Sequence, residues 1–205
     1  MTYPSRDIIC MALPAWEGDY MKTIVQVCDQ LARRHRVLYV EYPFTWKDYA
    51  LARLGRKTAP LERLRDRSRA LRQVTTSEGH PLHVLTLPPV WPTRWINAPG
   101  WFDRLQGREA ERAGRAVRRA AEQLGMCAPL VINAFNPTFG LPLLDRLGAS
   151  KTLYYCYDEI STAAWLGKHG ARYEAAFLPQ TDGLVATSAT LWQRKSVLQP
   201  KGGLV

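Results

Sequence analysis

Thr152–Glu159 reads TLYYCYDE. Leu153, Tyr155 and Tyr157 alternate with Thr152, Tyr154 and Cys156, so neither face of an extended chain here is a charged, solvent-facing one. A strand of that kind is buried on both sides, as in a parallel sheet. The run then ends abruptly on two carboxylates. Working outward, five other short runs have the same character: Asp7–Ala12 (DIICMA), Val37–Glu41 (VLYVE), Leu82–Leu87 (LHVLTL), Leu130–Phe135 (LVINAF) and Gly183–Thr187 (GLVAT). Segments of helical period separate them. Tyr20–His35 places Ile24, Val27, Cys28 and Leu31 on one face. Phe102–Gly125 does the same with Leu105, Ala113, Ala116, Val117, Ala120 and Leu124, turns its arginines outward, and has Gly125 where a C-terminal cap belongs. Shorter helices are expected at Leu141–Leu147, Arg172–Leu178 and Ser188–Ser196. The pattern predicts an α/β fold with a Rossmann-like, doubly wound, mostly parallel six-stranded sheet. Phe44–Gly79 and Pro88–Trp101 are irregular stretches inside it.

The chain has 205 residues, enough for one sizeable domain, so residues 1–205 are expected to form a single unit. Apolar residues at 46% and charged residues at 22% describe a globular chain. The net charge is +10, and its placement is uneven. Between Arg53 and Arg72 eight basic residues face two acidic ones, a surplus of six. Arg63, Arg65, Arg67 and Arg69 lie within it, beside a narrow apolar stripe of Leu61, Leu64 and Leu71. These four arginines are expected to face an anionic membrane surface. The competing expectation is a non-catalytic basic α/β module that binds RNA or an acidic polymer. Nucleic acid is the weaker of the two, because the charge sits in an insertion and no RNA motif is present. Cys10, Cys28, Cys127 and Cys156 form no C-x-x-C pair and no zinc-like cluster with histidine, so no metal site is expected. Met1–Arg6 has no signal-peptide core, and no apolar run approaches the ~20 residues of a membrane span. A cytoplasmic protein is expected, peripheral at most on the inner face of the membrane.

In an open parallel sheet, ligands bind beyond the carboxyl ends of the strands, where strand order reverses. With the usual order that point lies between the first and fourth runs, with the fifth beside it. Three loops therefore matter: Leu13–Tyr20, Asn136–Gly140 and Asp158–Ser161. The first has no G-x-G-x-x-G, and the chain has no P-loop, G-x-S-x-G elbow or H-E-x-x-H, which removes the usual dinucleotide, NTPase, hydrolase and metalloprotease readings. Trp16, Glu17 and Gly18 in the first loop, Asn136 in the second and Glu159 in the third are the expected substrate-binding residues. Asp158 is the expected catalytic one, since a carboxylate ending a buried strand is costly unless solvated, paired or used. Capping the next helix is its structural alternative. His169 is expected at the surface, in a loop able to fold over the cleft. Trp16, Trp46, Trp91, Trp95, Trp101 and Trp165 fall in loops or at element edges, where some would line a sugar or lipid surface.

Three stretches carry a resemblance: Leu31–Glu41 (LARRHRVLYVE), Leu153–Glu159 (LYYCYDE), and Glu174 followed by Thr181–Ser188 (TDGLVATS). In this order they resemble the N-terminal, acceptor-side domain of bacterial GT-B glycosyltransferases of the family 4 (group 1) type, similar to teichuronic-acid-type polysaccharide enzymes. The resemblance implies transfer of a sugar from a nucleotide-sugar donor to a glycan or lipid-linked acceptor. It implies no cofactor on this domain and no metal. The nucleotide-sugar would sit in a second, C-terminal domain that these 205 residues do not include, leaving this chain inactive alone. Asp158, standing where many members have a histidine, would be the residue nearest the transferred sugar. Trp16-Glu17-Gly18 stands where many have two glycines.

Overall fold

Each of the six apolar runs becomes a strand, because only a sheet covered on both faces buries both sets of side chains. The computed structural model describes residues 5–17, 22–162 and 168–205. Its strands are β1 (Asp7–Met11), β2 (Arg36–Val40), β3 (Leu71–Thr75), β4 (Pro81–Leu85), β5 (Leu130–Ala134), β6 (Lys151–Cys156), β7 (Gly183–Ala186) and β8 (Gly202–Leu204). They form one sheet in the order β3-β4-β2-β1-β5-β6-β7-β8. All neighbours are parallel except β3 against β4. The six expected strands hold the doubly wound order, and strand order reverses between β1 and β5.

The expected count of six is corrected to eight among the described residues by one strand at each edge. β3 (LRQVT) mixes polar and apolar residues on both faces, since an edge strand needs no fully apolar face. β8 is three residues long and begins at Gly202, whose φ of +137° and approach to the Leu184 carbonyl leave no room for a Cβ. Gly202→Ala is therefore expected to free β8 from β7. Amide exchange should accelerate by an order of magnitude or more at Leu184 and Val205, whose N–H groups donate to Lys201 and Ala186. Unchanged protection there would contradict the steric argument.

The helices are α1 (Thr23–Ala32), α2 (Trp46–Arg53), α3 (Leu61–Arg65), α4 (Pro99–Gln123), α5 (Pro137–Leu143), α6 (Gly170–Phe177) and α7 (Ala189–Lys195). α1 covers one face, setting Ile24, Val25 and Cys28 against Ile8, Cys10, Val37 and Tyr39. On the other face α4 packs Ala110, Ala113, Val117 and Ala120 over Ile9, Met11, Leu38 and Val40. Phe177 of α6 is fully buried there with Tyr154 and Leu184. Gly125 does end α4: at φ +62° it donates to the Glu122 carbonyl, and Met126 donates to that of Ala121. The helix expected at Leu141–Leu147 instead starts at Pro137, whose fixed φ suits a first helical position. The stretch 44–79 is less irregular than its composition suggests. Thr45 and Asp48 form reciprocal side-chain-to-backbone bonds of 3.1 and 2.8 Å that start α2, and Pro60 precedes α3. Among the described residues no helix is long and apolar enough to cross a membrane.

Candidate functional site

At the carboxyl edge of the sheet, where β1 and β5 part, lies a hollow of about 440 Å³. Leu13 and Pro14 from the loop after β1 form one wall, and Lys22, Thr23 and Ile24 at the start of α1 another. Tyr42, just past β2, and Tyr157, just past β6, complete it. Lys22 occupies the N-cap of α1, and its side chain makes no capping bond to the first turn. The helix start brings the positive end of its dipole to this corner. Tyr42 is shared with a second hollow of about 640 Å³, lined by Thr45, Trp91, Trp95, Gln106 and Phe139 among others. Burial pushes the Tyr42 hydroxyl up to about 12, so it stays a neutral donor and acceptor. Its ring meets that of Phe139 edge-on at 5.8 Å. Trp91 and Trp95 are 57% and 73% exposed, so the second hollow presents aromatic faces to solvent.

The expected site residues other than Gly18 follow strand ends on this edge but are not equivalent. Asp158 is exposed, and one carboxylate oxygen accepts the Glu159 N–H at 2.8 Å. Its other oxygen has no partner among the described residues. Glu159 is engaged: Lys195 holds it at 2.8 Å and Arg194 at 3.4 Å. Partial burial works against its charge, but the hydrogen bond and charge of Lys195 outweigh that and hold Glu159 below its usual value. Lys195 also binds Glu174 at 2.5 Å, and Glu174 accepts from the Tyr154 hydroxyl at 2.7 Å. Glu174 is 4% exposed, so this is a buried clamp tying α7 and α6 to β6.

Asn136 is only 2% exposed. Its backbone is gripped by Asn133, which accepts the Asn136 N–H at 2.9 Å and donates to its carbonyl at 3.0 Å. The tight turn so formed puts Phe135 at φ +58°, a strained value for a bulky residue, and sets its ring 4.8 Å from that of Tyr157. Asn136 thus belongs to the buried turn that follows β5.

Trp16 lies half-buried, edge-on to Tyr39 at 5.2 Å, and its backbone N–H donates to the Glu41 carboxylate at 3.1 Å. Glu17 reaches the other way, to Arg63 at 3.0 Å and Arg72 at 3.3 Å. Burial opposes its charge, and those two arginines hold it below its usual value nonetheless. Buried Glu41 joins them, accepting from Thr86 at 2.8 Å and facing Arg72 at 3.5 Å. Gly18 and Trp165 lie outside the described residues. His169 is corrected: it is 5% exposed, not at the surface. Its ring stacks on Phe102 at 4.0 Å, with Nε2 3.0 Å from the Ile96 carbonyl and Nδ1 accepting from Arg172 at 3.2 Å. Arg172 is donor-only, so the ring proton belongs on Nε2.

Of the membrane-facing arginines, Arg63 turns inward to Glu17, and Arg69 pairs with Glu62 at 2.6 Å. Arg65 and Arg67 remain exposed. Lys22, Thr23 and Tyr42 were not singled out from sequence. The signal was there, since Tyr42 follows β2 at the same sheet edge and α1 starts where the first loop ends. Among the described residues no group of three or more His, Cys, Asp or Glu lies together as metal ligands would.

No family model and no curated protein matches the chain. Among solved structures it is similar to E. coli trehalose-6-phosphate synthase bound with UDP-2-fluoro glucose, at a TM-score of 0.46 and 10% identity over 90% of this chain and 40% of that one. It is also similar to the catalytic domain of starch synthase IV from Arabidopsis thaliana bound to ADP and acarbose, at a TM-score of 0.47 and 13% identity over 93% of this chain and 46% of that one. The chain thus spans less than half the length of either.

Proposed function

We propose that the chain is the acceptor-side domain of a GT-B glycosyltransferase, working with a second domain that brings the nucleotide-sugar. The observation that carries this reading is the hollow at the β1/β5 reversal, with a helix start, Lys22 and two tyrosines around it and the Asp158 carboxylate beside Tyr157. The sequence resemblance supports it, because Leu31–Glu41, Leu153–Glu159 and Thr181–Ser188 run through β2, β6 and β7 to their carboxyl ends at that edge. In this scheme the hollow and its Trp-lined neighbour take the acceptor, a glycan or lipid-linked chain. Ring faces of Trp91 and Trp95 stack on sugar faces. Asp158 accepts a hydroxyl hydrogen and balances the positive charge that develops as the glycosidic bond loosens. Glu159 keeps Lys195 in place and leaves Asp158 as the open carboxylate. Activity on polysaccharide precursors at the cytoplasmic membrane face is part of the same proposal.

The test uses the enzyme formed when this chain is joined to a nucleotide-sugar-binding domain; the chain by itself is expected to transfer nothing. Asp158→Ala should lower turnover at least about tenfold, equivalent to roughly 1.4 kcal/mol of transition-state stabilisation. Its thermal midpoint should hold, since the side chain makes a single exposed contact. Asp158→Asn keeps the hydrogen-bonding shape and removes the charge, so recovery of turnover in Asn would assign Asp158 to positioning. Full activity in the Ala variant would reduce Asp158 to a loop cap, and sugar transfer by the isolated chain would overturn the two-domain reading.

A further inference from the structure

A groove of about 580 Å³ lies on the opposite side of the β3–β4 edge from α1, between the α3 segment and α4. Arg63, Arg65 and Arg67 line one bank, and Arg112, Arg115 and Arg119 the other. The second trio is spaced three and four residues apart on α4, and so occupies one helix face. Among the described residues the lining contains no Asp or Glu. Three of the six are tethered from outside: Arg63 to Glu17, Arg112 to Glu109 and Arg115 to Glu111, each at 3.0 Å. The guanidinium groups of Arg65, Arg67 and Arg119 have no hydrogen bond or ion pair among the described residues, and all three residues are exposed. The floor between the banks is apolar, made of Leu64, Leu71, Leu85, Ala116 and Ala120.

Six guanidinium groups around one hollow repel one another, and low-dielectric walls strengthen that repulsion. Three held in fixed positions by carboxylates behind them, and three left open, form a fork-rich surface suited to an oxyanion with several acceptor oxygens. We propose that this groove is a binding site for a phosphate-bearing anion, a diphosphate or a phosphorylated headgroup whose apolar part lies on the Leu and Ala floor. The proposal is independent of sugar transfer, because the groove lies on the flank of the sheet away from the β1/β5 reversal. It also replaces a uniform basic face by a defined cavity, since Arg69 lies outside the lining and pairs with Glu62.

The experiment measures binding of inorganic pyrophosphate by calorimetry, and sedimentation with phosphatidylcholine vesicles with and without phosphatidic acid. Two triple variants are compared, Arg65→Gln/Arg67→Gln/Arg119→Gln in the groove and Arg34→Gln/Arg53→Gln/Arg56→Gln outside it. All six side chains are exposed and both triples remove the same charge, so both should fold as the parent does. The groove triple is expected to weaken binding about tenfold or more and the outer triple less than about twofold, with affinity falling as salt rises. Pyrophosphate binding with that pattern makes the phosphate itself the ligand. Binding only to phosphatidic acid vesicles, with the same pattern, assigns the site to a lipid headgroup. Equal weakening by both triples, no binding to either probe, or binding confined to a single-stranded RNA oligomer would overturn the proposal.

Discussion

Lys195→Met is expected to cost about 3–5 kcal/mol of unfolding free energy, the range for breaking a buried ion pair by removing one partner. Lys195 is 8% exposed and sits between Glu159 and Glu174. Without it the Glu174 carboxylate keeps only the Tyr154 hydroxyl. The double variant Lys195→Met/Glu174→Gln should regain a large part of the loss, because it removes the stranded charge along with its partner. The pH dependence is also fixed in sign. Burial lowers the Lys195 value, but its two carboxylates outweigh burial and raise it above the ordinary 10.5. Its contribution is therefore complete below about 10.5 and fades as pH rises through the raised value. Glu159 is shifted below its ordinary 4.5, so its share is present above that pH and fades as pH falls through the depressed value. The parent-minus-variant difference from urea unfolding should thus be flat between the two and shrink outside them. A difference under about 1 kcal/mol at neutral pH would mean that the clamp adds nothing.

The second large effect is expected at Asn133, which is 1% exposed. Asn133→Ala removes the acceptor of the buried Asn136 N–H and opens a cavity, together about 2–4 kcal/mol. The turn that holds Phe135 at φ +58° then loses its brace. Asn136→Ala is the control, because its side chain makes only a 3.4 Å contact from Thr138 and the backbone bonds to Asn133 survive. It should cost less than half as much. Equal losses would show that the amide pair is not what fixes the turn. In the assembled enzyme, a rise in acceptor KM for Asn136→Ala with turnover intact would restore a direct role in binding to Asn136.

The strands that were legible in the sequence are those buried on both faces. TLYYCY and LVINAF read as strands because both of their faces are apolar or small, and their order is that of the usual doubly wound sheet. β3 was hidden because LRQVT pairs on one side only, and because the charge of Arg72 reads as surface while Glu41 and Glu17 lie far away in sequence. His169 reads as a loop residue for the same reason, its burial depending on Phe102 and Ile96 from distant segments. At the site, the strand-end rule pointed to the carboxyl edge of the sheet, where the hollow beside Lys22, Tyr42 and Tyr157 lies. It could not tell that Glu17 and Glu159 spend their charge on arginine and lysine, nor that Asn136 faces inward. Those are tertiary pairings, and no local pattern encodes them.

The strand order has a consequence for how the molecule comes apart. β1, β2, β3 and β4 all lie before α4 in the chain, and β5 to β8 all lie after it. The single ladder joining these two blocks is β1 against β5, where Ile8 pairs with Leu130 and Met11 with Asn133. That seam joins the paired strands farthest apart in sequence, so it carries the largest loop-closure entropy of any ladder in the sheet. The hollow lies across the same seam, with Tyr157 from the later block and its other lining residues from the earlier one. The pocket is therefore complete only while the two blocks stay joined, so a ligand bridging it acts as a clasp and stabilises both halves at once.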